Sequence, residues 1–184
     1  MRLFFAADID ENIKEKIAEA SQILEKTNAD AKFVKKESLH VTLKFLGEVE
    51  DSLADEIASK GSEAVRSMNH FDALFKGMGY FGSPRFPKVI WIGVQDNGMM
   101  AEISKRLNEK LDYIRKEERE PEPHLTIARI KSPRNSERLL SSLKNFENYE
   151  FGKMTVNGIK LKKSTLSRDG AEYGDAASIK LGQV

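Results

Sequence analysis

Two short segments of this chain carry the same arrangement of chemically active side chains. Residues His40–Leu43 read His-Val-Thr-Leu, and residues His124–Ile127 read His-Leu-Thr-Ile. Because alternate residues of a β-strand face the same side, each histidine shares a face with the threonine two positions later, while the apolar residues face the other side. Each segment therefore predicts a strand with an apolar face for the core and a His-x-Thr face for a cleft.

Two imidazoles and two hydroxyls suit the cleavage of a phosphodiester. One imidazole removes a proton from the attacking oxygen while the other protonates the leaving oxygen. The unperturbed histidine pKa of about 6.5 allows a neutral and a protonated imidazole to coexist near neutral pH. The hydroxyls of Thr42 and Thr126 would donate to the non-bridging phosphate oxygens. The pattern predicts that His40 and His124 form an acid/base pair that requires no metal.

Other interpretations of these histidines stay open at this level. Both could be strand histidines that bond to the backbone, or both could be metal ligands. The matching threonines favour catalysis, and His-x-Thr lacks the close histidine and carboxylate spacing of common metal motifs. The third histidine, His70, has no threonine two positions later, and we expect it at the surface or at a helix end.

The elements that must position these motifs recur along the chain. A buried strand over Leu3–Ile9 precedes an amphipathic helix over about Glu11–Lys26 and the His40 strand, and a strand over Val89–Val94 opens a second series of the same order. His40 lies 37 positions after Leu3, and His124 lies 35 positions after Val89. The two histidines therefore occupy equivalent places in a duplicated unit.

This duplication predicts an α+β fold. We expect two pseudo-symmetric α/β lobes, with two mainly antiparallel sheets that face a central cleft and helices outside. The 184 residues suit a single bilobal domain, with internal repeats at about residues 1–86 and 87–184.

The composition limits the class of protein. With 30 Lys and Arg against 29 Asp and Glu the net charge is only +1, so any anion site must be local. The absence of cysteine excludes disulfides, thiolate nucleophiles and zinc fingers. The apolar run at the start is too short for a signal sequence or a membrane span. We expect a cytoplasmic monomer with no membrane partner.

The sequence resembles the archaeal and bacterial RNA 2′,3′-cyclic phosphodiesterases, historically called the 2′-5′ RNA ligase family, within the two-histidine phosphoesterase superfamily. The resemblance extends nearly end to end and rests on His40–Gly47, His124–Arg129 and the opening Arg2–Ala6. It implies two lobes with a positively charged cleft, and hydrolysis of RNA 2′,3′-cyclic phosphate ends to 2′-phosphomonoesters. It also implies a weak reverse reaction that joins tRNA fragments through 2′-5′ linkages. The implied partner is RNA with a cyclic phosphate end, tRNA fragments included, and no cofactor is implied.

The resemblance also implies roles for the motif residues. His40 would act as general acid on the departing 3′ oxygen and His124 as general base on water. Arg129, five residues after His124, would be a further phosphate ligand, because a planar guanidinium suits phosphate. Phe45, five residues after His40, would either pack in the core or stack on a nucleobase. Nearby cations would either guide an RNA tail or be solvated surface charges, and they are Lys35, Lys36, Lys44, Lys131 and Arg134.

Two further functional hypotheses compete with hydrolysis. The chain could be an RNA- or nucleotide-binding module of the same fold with little turnover, although the intact pair of His-x-Thr motifs argues against this. RNA ligation could also be the main role, and since no nucleotide-cofactor lysine motif is evident, it would have to be an ATP-independent reversal of the hydrolysis.

Overall fold

Antiparallel pairing joins every strand of the fold into one sheet. The computed structural model describes residues 1–167 and 170–182. Within these residues there are nine strands: β1 (Arg2–Asp8), β2 (Ala31–Phe33), β3 (His40–Glu48), β4 (Phe71–Gly82), β5 (Pro87–Gln95), β6 (Leu125–Ile130), β7 (Glu150–Val156), β8 (Gly158–Ser167) and β9 (Gly170–Lys180). The strand order is β7-β4-β5-β6-β3-β1-β8-β9, and β2 pairs with β6.

The α-helices carry an apolar stripe toward the sheet. The described part of the chain has four of them: α1 (Glu11–Glu25), α2 (Ala54–Val65), α3 (Met99–Lys110) and α4 (Ser136–Leu143). In α1 the buried residues are Ile13, Ile17, Ala20 and Leu24, which is the spacing of one helix face. The predicted α1 helix and the predicted α+β class are confirmed.

The two motif strands meet at the centre of the sheet. Strands β3 and β6 are joined through the pair Val41 and Leu125, the residues that directly follow the two histidines. The expectation of two separate sheets is therefore corrected in this detail, because the two halves pair where the motif strands begin. From this point the order is β3-β1-β8-β9 on one side and β6-β5-β4-β7 on the other, so the two halves match in strand order.

Each half of the sheet has its own helices. We call β3, β1, β8 and β9 with α2 and α3 the His40 lobe, since α2 packs on β9 and α3 packs on β3. We call β6, β5, β4, β7 and β2 with α1 and α4 the His124 lobe, since α1 packs on β7 and α4. Strand β4 thus joins the lobe of the second motif, and β8 and β9 join the lobe of the first. The lobes interleave along the chain, and the duplication itself stays a prediction.

The core lies between the sheet and the helices and leaves the opposite sheet face open. Phe5 of β1, Phe75 of β4 and Phe151 of β7 are fully buried. Helix α2 approaches β1 closely at Gly61, where an added Cβ would lie 2.5 Å from the Phe5 ring. Burial of these faces fixes the register of each strand, and therefore which side chains the open face presents.

Two strands depart from the sequence-based expectation. Strand β4 is continuous over Phe71–Gly82, whereas its glycines predict a break. It passes Gly77 through a register irregularity, with a positive φ of 76° that glycine adopts without strain. Strand β9 was not predicted, because its alternating positions hold small and polar residues, which give a weak period-two signal.

Candidate active site

His40 is held at the start of β3 by backbone and aromatic contacts. Because a carbonyl can only accept, the ring Nδ1–H donates to the Ser38 carbonyl at 2.8 Å. Nε2 is then free to accept from the Thr42 hydroxyl, whose Oγ1 lies 3.1 Å away. The rings of Phe4 and Tyr173 both have their centroids 5.1 Å from that of His40. The imidazole is thus fixed with Nε2 beside the predicted phosphate-binding hydroxyl.

The environment of His40 favours its neutral form. Burial lowers the pKa of His40, and the charges of Lys162 and Lys14 lower it further, while the Ser38 hydrogen bond and the Asp8 carboxylate oppose them. Burial dominates because the imidazolium loses solvation. In the unliganded protein His40 is therefore poised as a neutral imidazole at neutral pH.

His124 is oriented in the same way from the other lobe. It directly precedes β6, and its Nδ1–H donates to the Glu122 carbonyl at 2.7 Å. The Phe81 ring stands edge-on to it, with centroids 4.9 Å apart. In both motifs the carbonyl two residues earlier holds Nδ1 and leaves Nε2 for the cleft. Each histidine therefore has the tautomer that a base requires when neutral and an Nε2–H to donate when protonated.

A β-bulge follows the threonine of the first motif. Ala6 pairs with Thr42 but Phe5 pairs with Lys44, so Leu43 is an extra residue. The bulge shifts the alternation by one. It turns Lys44 toward the core side and places Phe45 on the open face opposite Phe4. Phe45 is 47% exposed and lines the cleft, so it is not a core residue, and its stacking on a base stays a prediction.

The second motif has the equivalent bulge. Trp91 pairs with Thr126 but Ile90 pairs with Ala128, so Ile127 is the extra residue. Arg129 thereby comes to the same face as Thr126, although simple alternation would put it on the opposite face. The sequence spacing of five residues from each histidine thus has a structural reason, and Arg129 is the counterpart of Phe45.

The predicted residues converge on one cleft of about 410 Å³. Its walls include every predicted site residue, namely His40, Thr42, Phe45, His124, Thr126 and Arg129. Three aromatic residues were not predicted from the sequence. Phe4 and Tyr173 also line the cleft, and Phe81 contacts His124. A larger concavity of about 1330 Å³ between β4, β5 and α4 contains none of the motif residues. The cleft is therefore the place where the predicted acid, base and anion-binding residues lie together.

The cations near the motifs have different surroundings. Lys44 is only 1% exposed, and its Nζ donates to the Asn108 side chain and to the Arg115 carbonyl. The expectation that Lys44 guides an RNA tail is therefore wrong, because the bulge turns it inward. Lys36 forms ion pairs with Glu11 and Glu15. Lys35, Lys131 and Arg134 are exposed, as is His70, and none of these four lines the cleft.

A charged cluster beside His40 was not predicted. Asp8, which pairs with His40 across the sheet, accepts from Lys160 at 2.8 Å and Lys162 at 2.9 Å. Asp175 of β9 contacts the same two lysines. Burial by itself raises the pKa of Asp8, but the two lysines outweigh it and the net pKa is lowered. Since β8 and β9 are distant in sequence from His40, no local pattern indicates this cluster.

The described residues contain neither a grouping of metal ligands nor a membrane-spanning helix. No three His, Cys, Asp or Glu side chains within residues 1–167 and 170–182 are grouped so that they could hold a metal ion. None of the helices in this part of the chain is both long enough and apolar enough to span a membrane.

Known proteins are similar to this chain in sequence and in fold. A sequence model described as the 2′-5′ RNA ligase superfamily matches residues 9–166. The chain belongs to this superfamily. A Methanocaldococcus jannaschii protein is 40% identical over 94% of this chain and 96% of its own, and a Methanothermobacter thermautotrophicus protein is 32% identical over 98% and 99%. Both are named RNA 2′,3′-cyclic phosphodiesterase.

Two solved structures have a similar fold. A Thermus thermophilus protein superimposes with a TM-score of 0.82, covers 98% of both chains and is 25% identical. The LigT protein of E. coli, solved with 3′-AMP, superimposes with a TM-score of 0.76 at 21% identity and covers 99% of this chain and 98% of its own. At that identity the second likeness concerns the fold alone. The likeness of fold thus extends over nearly the whole chain.

Proposed function

We propose that this superfamily member is a metal-independent hydrolase that opens RNA 2′,3′-cyclic phosphate ends to 2′-phosphomonoesters. The observation that carries the proposal is the convergence of two His-x-Thr faces and Arg129 on one cleft. The name shared by the two archaeal relatives supports the reaction and the substrate. The substrate is RNA with a cyclic phosphate end, tRNA fragments included. The enzyme acts as a monomer in the cytoplasm.

The reaction is an in-line displacement at phosphorus. A water oxygen attacks the phosphorus opposite the 3′ oxygen, and Nε2 of His124 takes the proton of that water. The bond between phosphorus and the 3′ oxygen breaks, and Nε2–H of His40 gives its proton to the 3′ oxygen. The product keeps its phosphate on the 2′ oxygen, and proton exchange with solvent restores the two histidines.

The Nδ1 hydrogen bonds support these roles. The Ser38 and Glu122 carbonyls hold the two rings so that only Nε2 faces the cleft. Nδ1 keeps its proton in both protonation states of an imidazole, so these hydrogen bonds need not break when Nε2 gains or loses a proton. Little reorganisation is then needed when the protons move, which is the main advantage of a preformed site.

The acid role of His40 has one physical requirement. Burial lowers the pKa of His40 in the unliganded protein, which favours the neutral form over the acid form. A bound phosphate brings a negative charge to Nε2, and a nearby opposite charge raises a histidine pKa. His40 therefore becomes an effective acid when the substrate is bound. In the free enzyme, only a minor fraction of His40 is protonated at a pH above its lowered pKa.

The threonines and Arg129 stabilise the charge that develops on phosphate. In the unliganded site the Thr42 hydroxyl contacts His40 Nε2, and it turns to a non-bridging oxygen when phosphate binds. Thr126 donates from the opposite lobe, and the exposed Arg129 guanidinium reaches the anion from the bulge of β6. Hydrogen bonds to charged groups contribute about 1.5–3 kcal/mol each, so this set accounts for a large part of the anion affinity.

A direct assay tests the proposal. An RNA oligonucleotide with a 2′,3′-cyclic phosphate is incubated with the protein in EDTA, and 2′- and 3′-phosphate products are separated. We expect full activity in chelator and only the 2′-phosphate. Activity that is lost in EDTA and restored by a divalent ion contradicts the metal-free mechanism, and a 3′-phosphate product contradicts the assignment of the leaving oxygen. Tight binding of product without turnover favours the binding module.

Ligation is a second activity of the same site, and the description of the matching superfamily supports it. In this reaction a 5′-hydroxyl of RNA takes the place of water and attacks the phosphorus of a cyclic end without ATP. Mixing 5′-hydroxyl RNA with cyclic-phosphate RNA should give 2′-5′ linked product more slowly than hydrolysis proceeds. A ligation rate above the hydrolysis rate would make joining the main role.

A further inference from the structure

Lys44 is a buried lysine that the proposed reaction does not use. Its side chain is among the largest that are fully buried in the described chain. The bulge at Leu43 turns it away from the open face, where simple alternation after His40 and Thr42 would have put it. Burial lowers the pKa of Lys44, and the neighbouring acids Glu117 and Asp112 partly oppose this. A buried ammonium is costly unless its donors are satisfied.

The donors of Lys44 are used on the segment that leads to the second motif. Nζ donates to Asn108 Oδ1 at 2.8 Å and to the Arg115 carbonyl at 2.7 Å. Asn108, near the end of α3, also pairs with both backbone groups of Glu117. Its Oδ1 accepts from Glu117 N at 2.9 Å and its Nδ2 donates to Glu117 O at 2.8 Å. Lys44 and Asn108 together therefore fasten the backbone at residues 115–117.

This segment, residues 111–123 between α3 and β6, forms one wall of the cleft. Glu117 and residues 119–123 line it. Its far end supplies the Glu122 carbonyl that holds Nδ1 of His124. Between the fastened part and His124 lie only Glu118 to Pro123, and the φ angles of Pro121 and Pro123 are restricted by their rings. The backbone held at Arg115 and Glu117 therefore restricts the position of the Glu122 carbonyl, because the connecting segment is short and contains residues of restricted φ.

The second motif strand provides an internal comparison. Ala128 occupies the place after the bulge that Lys44 occupies in β3, and it is completely buried. A small apolar side chain is therefore compatible with the fold at this position of the strand. Lys44 of β3 therefore breaks the symmetry of the two strands, and its longer side chain reaches Asn108 of α3 and the Arg115 carbonyl of the segment that precedes His124.

We propose that Lys44 is a positioning residue, which acts through Asn108 and the segment of residues 111–123 to orient His124 for the hydrolysis proposed above. The two motif strands are then linked mechanically as well as by their shared cleft. Lys44, two residues after Thr42 on β3, fastens the backbone of the segment whose Glu122 carbonyl orients the histidine of the second motif.

The tautomer of His124 tests this proposal. The variant Lys44→Met keeps a long apolar side chain and removes the ammonium. Long-range ¹H–¹⁵N spectra of the imidazoles should show wild-type His124 with its proton on Nδ1 in the neutral form, and the variant with a mixture of Nδ1–H and Nε2–H forms. His40 is the internal control, since its Nδ1 donates to Ser38 on a separate segment, and its spectrum should not change.

The kinetic counterpart is a fall in kcat with little change in KM. A misplaced base costs ~10- to 100-fold in rate, and we expect a kcat loss in that range for Lys44→Met. The matched control is Lys163→Met, an exposed lysine of β8, which should keep wild-type kcat. Asn108→Ala removes the same attachment from a half-buried position and should reproduce both effects even if Lys44→Met does not fold.

Two outcomes overturn the proposal. One is an unchanged His124 tautomer in a folded Lys44→Met or Asn108→Ala protein, whatever its kcat. The other is an equal change at His40 and His124, which indicates general loosening. If the wild-type protein fails to open cyclic phosphates, the proposed function fails, but the tautomer measurement still decides whether Lys44 orients His124.

Discussion

The His40 and His124 strands share one construction and differ in what surrounds it. In both, a carbonyl two residues earlier holds Nδ1, a threonine follows on the same face, and a bulge comes directly after that threonine. The bulge brings the fifth residue after each histidine onto the cleft face. That residue is aromatic in one strand, Phe45, and cationic in the other, Arg129.

The surroundings separate the two histidines further. His40 lies between two aromatic rings and beside the ion cluster of Asp8, Lys160, Lys162 and Asp175. His124 has one aromatic ring at its edge and an acid-rich segment before it. The shared parts are the predicted reacting groups, whereas the unshared parts predict different functions: nucleoside binding beside His40 and phosphate binding beside His124.

Removal of either histidine should have the largest effect. We expect His40→Ala and His124→Ala each to lower kcat by ~10²- to 10⁴-fold, the usual contribution of a general acid or base. Because the two act in one step, the double variant should be little slower than the slower single variant. Single-turnover hydrolysis of a cyclic-phosphate oligonucleotide measures this, and His70→Ala is the control. Near-wild-type turnover of either single variant would contradict the paired mechanism.

Loss of the Arg129 guanidinium should be the next largest effect. Arg129→Ala removes a charged hydrogen-bond donor of about 1.5–3 kcal/mol, so kcat/KM should fall by ~10- to 100-fold. Arg129→Lys keeps the charge without the planar fork and should recover only part of the loss. The loss should be the same for substrates with and without a nucleobase, because the contact is to phosphate. A loss that depends on the base would place the contact elsewhere.

Phe45 should give a smaller and different effect. Stacking on an aromatic side chain contributes about 1–3 kcal/mol per base, and we expect Phe45→Ala to raise KM by ~10-fold with kcat nearly unchanged. Ribose 2′,3′-cyclic phosphate, which has no base to stack, is the matched control substrate and should show no difference between variant and wild type. If both substrates lose equally, Phe45 acts on the phosphate or on the fold and not on a base.

The sequence predicts the reacting groups well because their signal is local. The two His-x-Thr motifs and the fifth residue after each histidine are read from a few neighbouring positions, and the residues of both motifs line one cleft, while their roles stay predictions. The β-bulges could not be predicted from the sequence, since Leu43 and Ile127 are neither glycine nor proline. Consequently the burial of Lys44 at the cleft wall was not predicted, since the sequence suggested only a guide for RNA or a solvated surface charge.

Long-range pairing explains the rest of what the sequence does not reveal. Tyr173 reaches His40 only because β9 pairs with β8 and β8 pairs with β1. The interleaving of the lobes depends on the same pairings. Such contacts between distant segments are set by the packing of the whole sheet and not by local spacing.

The smallest effect should come from Asp8 and should distinguish the roles of the two histidines. Asp8 raises the pKa of His40, while Lys162 lowers it. Asp8→Asn removes the opposing carboxylate, so the pKa of His40 should fall further below its usual value. If His40 is the acid, its protonated fraction decreases on the alkaline side of the pH profile, and kcat/KM should fall there while the acidic side stays unchanged.

The opposite result has an equally definite meaning. If His40 is the base, a lower pKa leaves more of it neutral in acid, so kcat/KM of Asp8→Asn would rise on the acidic side and stay unchanged on the alkaline side. Asp175→Asn breaks the same lysine contacts from β9 and serves as the matched control, because Asp175 is not paired with His40 in the sheet. A similar profile for both variants would mean that the ion cluster acts through the fold, whereas a change confined to Asp8→Asn identifies the proton that His40 carries in the reaction.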